Sequence, residues 1–157
     1  MNATGIPLAH HGIRQEWKYY IYQQVYENTT KSRVKLLGTV LHQIHYELDG
    51  ELAWFIVDNT MMEQCKADKT DVEGFSNFVR AINGVEVALM IMESGKNKCK
   101  MNFRSKGKYI VNDIANTLGG GGHPFASGAI IQESVKKATP RILDVVRKSI
   151  VSQQGVK

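Results

Sequence analysis

Two cysteines, three prolines and no apolar stretch of membrane length mark this 157-residue sequence. Cys65 and Cys99 stand alone, without CxxC or Cys/His spacing, which argues against a zinc site. Two free thiols in a reducing cytoplasm are the expected state. The longest apolar run, Val85 to Met92, is broken by Glu86 and falls far short of the ~18 residues a membrane helix needs. No basic, apolar, small-residue leader opens the chain, and its polar start is expected to be a trimmed domain edge. Internal repeats and low-complexity linkers are absent beyond the four glycines Gly119 to Gly122.

What is present is ordinary globular material, 43% hydrophobic and 22% charged. A chain of this size buries roughly 68–70% of its unfolded surface and needs no disulfide or metal to hold it. The formal charge of +5 and a pI near 9.2 favour anionic partners, phosphates above all. The lysines are scattered, apart from Lys96, Lys98 and Lys100 and the pair Lys106 and Lys108.

Helical spacing over residues 15–27 places Trp17, Tyr20, Ile21 and Gln24 near one side. Thr30 suits the cap of a second helix over 31–48, with Val34, Leu37, Leu41, Ile44 and Leu48 at three- and four-residue steps. A strand is expected in Glu51–Asn59 and a short helix over 59–66. Thr70 and Glu73 match a capping box opening a helix over 71–81. Val85–Ser94 and Cys99–Gly107 read as the two strands of a hairpin. Asn112 is expected to cap a helix carrying Ile114, Ala115 and Leu118, with Gly119 at its left-handed end. A strand over 126–134 and a helix over 138–152 complete the chain. The fold class is α/β, a mixed, largely antiparallel sheet flanked by helices.

Four consecutive glycines lose much backbone entropy on folding, so the run needs a reason. Without Cβ atoms, backbone N–H groups can approach an anion and form a nest for it. His123 adds a ring that can donate to phosphate or stack on a base. The run is no Walker A loop, because no Lys-Ser/Thr follows, and no dinucleotide fingerprint, because Pro124 and Phe125 replace the third glycine. Just upstream, Arg104 offers a planar fork for phosphate and Ser105 a further hydroxyl. The competing readings are a helix-to-strand connector and a surface arginine. His42 and His45, three residues apart on the expected helix, are too few ligands for a closed metal site. Asp58, Asp68 and Asp113 fall at turn or cap positions.

The string FRSKGKYIVNDIANTLGGGGHPFASGAI resembles the signature of the DHH-associated domain, the C-terminal half of DHH-family phosphoesterases, and of the nanoRNases in particular. The resemblance covers about residues 18–152, including RVKLLGTVL, DGELAWFIV and DKTDVEGFSNFVRAINGVEVAL. It implies a substrate-binding role for Arg104, Ser105, Gly119, Gly120, Gly121, Gly122 and His123, facing a catalytic domain. It implies short RNA oligonucleotides and 3′-phosphoadenosine 5′-phosphate as substrates, and an N-terminal catalytic domain that holds two manganese ions. Two such ions stabilise the attacking and leaving oxygens together.

That catalytic domain needs well over a hundred residues, and far fewer precede the matching region. Ala9-His10-His11-Gly12 mimics the DHH string with alanine for aspartate and is expected to be a coincidence. The chain is therefore expected to be a fragment, inactive alone, with no cofactor or metal of its own. Residues 1–32 are expected to form an interdomain linker and helix, and 33–157 the substrate-binding domain. No membrane partner is expected. The alternatives are a stand-alone RNA-binding module, as in alanyl-tRNA synthetases, and a homodimerisation domain using the aromatic helix 15–27.

Overall fold

The computed structural model describes residues 9–156, with side chains from Glu16 onward except Val25. The polar opening and the side chains of Ala9-His10-His11-Gly12 lie outside the described residues.

The elements run α1 (Ala9–Tyr26), α2 (Lys31–His42), β1 (His45–Glu47), β2 (Leu52–Val57), α3 (Asn59–Cys65), a 3-10 turn (Lys69–Val72) and α4 (Phe75–Arg80). They continue with β3 (Val87–Glu93), β4 (Cys99–Ser105), α5 (Asn112–Thr117), β5 (Gly121–His123), β6 (Ala126–Ile131) and α6 (Val135–Gln154). The strands form one sheet in the order β1-β2-β3-β4-β6-β5. Only β2 and β3 pair in parallel. The sheet is thus mixed and largely antiparallel, as expected. The segment from α3 to α4 joins the parallel pair, which no tight turn can link.

Each sheet face carries a core. On one, Leu89, Ile91, Met101 and Phe103 pack with Ile114 of α5 and with Ile142 and Val146 of α6. On the other, Phe55, Ala88 and Met90 pack with Leu36 and Val40 of α2 and with Phe75 and Val79 of α4. β2 and β3 face both cores, which is why they read as near-continuous apolar runs. β4 faces only the first. Cys99, Met101, Phe103 and Ser105 are buried, whereas Lys100 is exposed and Asn102 and Arg104 are half-buried. Both thiols are free and buried, and burial pushes that of Cys99 up.

Several boundaries differ from the sequence reading. α2 stops at His42, and His45 enters a strand, so His42 and His45 share no helix face. Arg147 of α6 donates to both Glu47 oxygens, at 2.5 and 2.9 Å, and Trp54 Nε1 donates to Oε1 at 2.8 Å. The His45 ring stacks on Trp54 at 4.1 Å. These contacts hold β1 extended where local pattern favoured helix, and the Arg147 hydrogen bond holds Glu47 below the ordinary carboxylate range. α2 buries Leu36 and Val40, while Val34 and Leu41 of the expected stripe are exposed. The aromatic residues Trp17, Tyr19, Tyr20, Tyr22 and Tyr26 of α1 are all more than half exposed.

The helix expected over 71–81 is divided at Gly74, whose φ of +81° is left-handed. The capping box is formed by Asp68 and Asp71 rather than by Thr70 and Glu73. Asn112 caps nothing: it is the first residue of α5, and its Oδ1 is buried without a hydrogen-bond partner. α6 begins at Val135 behind the cap Ser134, three residues before its expected start.

Asp71 ties α2 to the turn before α4. Its carboxylate accepts from Thr30 Oγ1 at 2.5 Å, Ser32 Oγ at 2.9 Å and the Asp68 N–H at 3.1 Å. The Thr30 hydrogen bond, then that of the Asp68 backbone, lowers its pKa from the ordinary 3.8. A carboxylate with a lowered folded-state pKa contributes stability in full above its unfolded value and loses it as pH falls through the folded one. Asp71→Asn is expected to lower the urea midpoint at pH 7 and to lose less than the wild type on acidification below pH 3.8. Parallel acid losses in both proteins would show that Asp71 is not the titrating anchor.

Candidate functional site

Strand geometry decides which side chains meet. Successive residues of a strand point to opposite faces, so Arg104 and Ser105 cannot serve one ligand from a regular β4. Ser105 is 2% exposed on the core side, and its Oγ accepts the Gly107 N–H at 3.1 Å. Arg104 stands on the other face, with one guanidinium nitrogen donating to the Phe103 carbonyl at 2.9 Å.

On that face the register brings Arg104 and His123 into one row. Arg104 lies opposite Ala126 of β6, and Ala126 lies opposite His123 of β5. The next row is Asn102, Gly128 and Gly121. Small residues at Ala126 and Gly128 keep the floor between Arg104 and His123 low. The exposed His123 ring sits two strands from Arg104, about 10 Å at the usual strand spacing. The register thus joins Arg104, Gly121 and His123 on one open surface, and Ser105 lies apart.

The glycine run is ordered structure. Gly119, with φ +81°, ends α5: its N–H donates to the Asn116 carbonyl at 3.0 Å and that of Gly120 to the Ala115 carbonyl at 2.7 Å. This is a Schellman motif, and it leaves neither amide for an anion. A Cβ on Gly120 would lie 2.1 Å from the Gly128 carbonyl oxygen, and one on Gly122 2.7 Å from that of Ala126. Close backbone approach therefore accounts for two glycines, and Gly119 serves the turn. Within the glycine run, the part in the edge strand β5 retains outward backbone groups, because alternate amides of an edge strand point away from its partner.

Beyond β4 the face dips into a trough of about 430 Å³. Lys100, Asn102 and Arg104 form its sheet wall, and Lys69, Gly74 and Asn77 contribute from the helical side. Among the described residues Arg104, Lys100 and Lys69 form no salt bridge. Glu73 also lines the trough and is its acidic group. Arg33 lies nearby, but it is engaged: it donates to the Asp71 and Glu73 carbonyls at 2.7 and 2.6 Å and covers the Phe75 ring at 5.0 Å. Lys100 and Asn102 escape a reading centred on the Arg104-Ser105 pair. The signal that marks them is the strict alternation of buried and open positions through Cys99–Ser105.

A separate basin of about 620 Å³ is lined by Glu51, Lys108, Tyr109 and Gln154. There the Glu51 carboxylate accepts from Lys108, Tyr109 and Gln154, so these donors are already engaged. Among the described residues no three His, Cys, Asp or Glu side chains come together to hold a metal ion. The manganese pair that the resemblance implies for a separate catalytic domain has no fitting donor set among these residues.

The DHHA1 domain model matches residues 58–152. The chain belongs to that family. It is 30% identical over 111 residues to the bifunctional oligoribonuclease and PAP phosphatase NrnA of Bacillus subtilis, covering 71% of this chain and 34% of that protein. Identity to the Thermus thermophilus protein of the same name is 28% over 120 residues, 76% of this chain and 35% of that one. The DHHA1 chain thus spans about a third of the length of these relatives. An exopolyphosphatase-related protein from Bacteroides fragilis superposes with a TM-score of 0.79 at 28% identity, covering 87% of this chain and 40% of that one. The pGpG-specific phosphodiesterase of Vibrio cholerae shares the fold, with a TM-score of 0.57 at 12% identity over 78% of this chain and 40% of that one.

The two close approaches of the glycine run make a direct prediction. Gly119→Ala meets open space and is expected to cost only the left-handed backbone penalty, about 1–2 kcal/mol. Gly120→Ala forces a methyl group onto the Gly128 backbone and is expected to cost more and to loosen the β5–β6 pairing. Urea unfolding compares them; a Gly120→Ala protein as stable as Gly119→Ala would contradict the close approach.

Proposed function

We propose that this DHHA1 domain holds the phosphate and base of a nucleotide against the open face of β4, β6 and β5. It serves as the substrate-binding part of a DHH-family phosphoesterase acting on short oligoribonucleotides and 3′-phosphoadenosine 5′-phosphate. In this reading the domain begins with α2 behind its Thr30 cap, which Asp71 holds, and α1 is the helix that leads to it. The observation that carries the reading is the row Arg104–Ala126–His123, in which a cation and an aromatic ring flank a low floor. A guanidinium free of carboxylate partners grips phosphate through paired hydrogen bonds. An exposed imidazole about 10 Å away is placed for the base or sugar of the same nucleotide.

The relatives support the substrate class, since the two NrnA proteins are named for oligoribonuclease and PAP phosphatase activity. In this division of labour the face supplies cations and a stacking ring, and the two-metal chemistry implied by the resemblance belongs to a separate catalytic domain. Gly120 and Gly122 act by shape, letting the chain pack close against β6. Gly121 lies on the floor itself.

Isothermal titration with adenosine 3′,5′-bisphosphate tests the reading. The wild-type chain is expected to bind with an affinity that falls as salt rises. Arg104→Ala is expected to weaken binding about ten- to a hundredfold, the loss of a charged hydrogen bond worth about 1.5–3 kcal/mol. Ser105→Ala is expected to leave binding within about twofold, because its hydroxyl faces the core. Unchanged binding in Arg104→Ala would remove this face from the site. Much tighter binding to a long folded RNA than to the bisphosphate would favour an RNA-binding module in its place.

A further inference from the structure

The cation beside the glycine run is Lys100. It stands four residues from Arg104 on the same face of β4, about 13 Å away at roughly 3.3 Å per residue. It lines the trough that Arg104 also lines, and it lines a second cavity of about 300 Å³ with Gly119, Gly120, Gly128 and Ile130. Lys100 is the residue the two cavities share. Asn102 lies between the two cations, and Ile130, half exposed, lies opposite Lys100 on β6. Lys69 adds a further ammonium from the helical side of the trough.

We infer that Lys100 marks a second anion position, so that the open face takes a chain of nucleotides laid along β4 rather than one nucleotide. This rests on the reading of Arg104 and His123 as the first position. Two cations about 13 Å apart, neither in a salt bridge among the described residues, are too distant for the oxygens of one phosphate. They match two phosphates of one extended strand with an intervening nucleotide. Asn102 can donate to that middle unit, and the low floor at Gly128 lets the strand lie flat. Ile130 gives the far nucleotide an apolar surface. The distance from Arg104 to Lys100 then sets the shortest chain that engages both positions.

The test measures binding of adenosine 3′,5′-bisphosphate and of a tetranucleotide RNA by the full chain, in EDTA and across a salt series. Lys100→Ala is expected to weaken the tetranucleotide about five- to tenfold and to lower its salt slope by about 0.7, one phosphate contact on a single strand. The bisphosphate is expected to change less than twofold, and Lys100→Arg is expected to restore the tetranucleotide. Equal binding of the tetranucleotide by wild type and Lys100→Ala would overturn the second position. So would an equal loss for both ligands, which would put Lys100 in the first. In either case, weakening of both ligands by Arg104→Ala leaves the first position standing. Indifference of both ligands to Arg104→Ala would remove the first position and the second with it.

Discussion

β4 has a core on only one side, and the rest of the site follows from that. It is hydrogen-bonded to β3 on one flank and β6 on the other, so its backbone has no freedom to rotate its side chains. Met101 and Phe103, both fully buried, lock the alternation in place. Burying them obliges Lys100, Asn102 and Arg104 to face the opposite way. The second core ends at Ala88 and Met90 of β3, so those polar side chains line a trough shared with Ser76 and Asn77 of α4 instead of an apolar core. The cations are held by the hydrophobic pattern of the neighbouring positions, at a spacing set by the strand.

The same packing explains why the glycines matter without cradling an anion. The Schellman turn at Gly119 and Gly120 uses their amides, and the contact of Gly120 with Gly128 brings β5 tightly onto β6. His123 reaches the row of Arg104 because that turn is short and close. The glycine run therefore acts on the ligand through the position of the edge strand. On the first sheet face, α6 and the Glu47–Arg147–Trp54 cluster close the core, and on the second Asp71 joins α2 to the 3-10 turn.

Much of this was legible in the residues. The apolar runs of β2 and β3, the Thr30 cap and the left-handed Gly119 follow from local rules, and the glycine string with Arg104 is enough to suggest the family. What was not legible depends on contacts distant in sequence. The change from helix to strand at His45 is driven by Arg147, 102 positions further along the chain. The break at Gly74 accompanies the Asp68–Asp71 box, which outcompetes the Thr70–Glu73 alternative. In the site, Arg104 and Ser105 are neighbours in sequence but are divided by the strand, whereas Arg104 and His123 are joined by register alone. Pairing of β4 with β6 and of β6 with β5 cannot be read from spacing, because α5 and the glycine turn intervene.

The central claim is that the open face of β4, β6 and β5 is where the nucleotide rests. An NMR titration of the isotope-labelled chain with adenosine 3′,5′-bisphosphate tests it most directly. The account predicts amide shifts clustered at Asn102, Arg104, Ala126, Gly128 and His123, with the 620 Å³ basin at Glu51, Lys108 and Tyr109 unmoved. Shifts confined to that basin, or none at ligand concentrations that saturate binding, would contradict it.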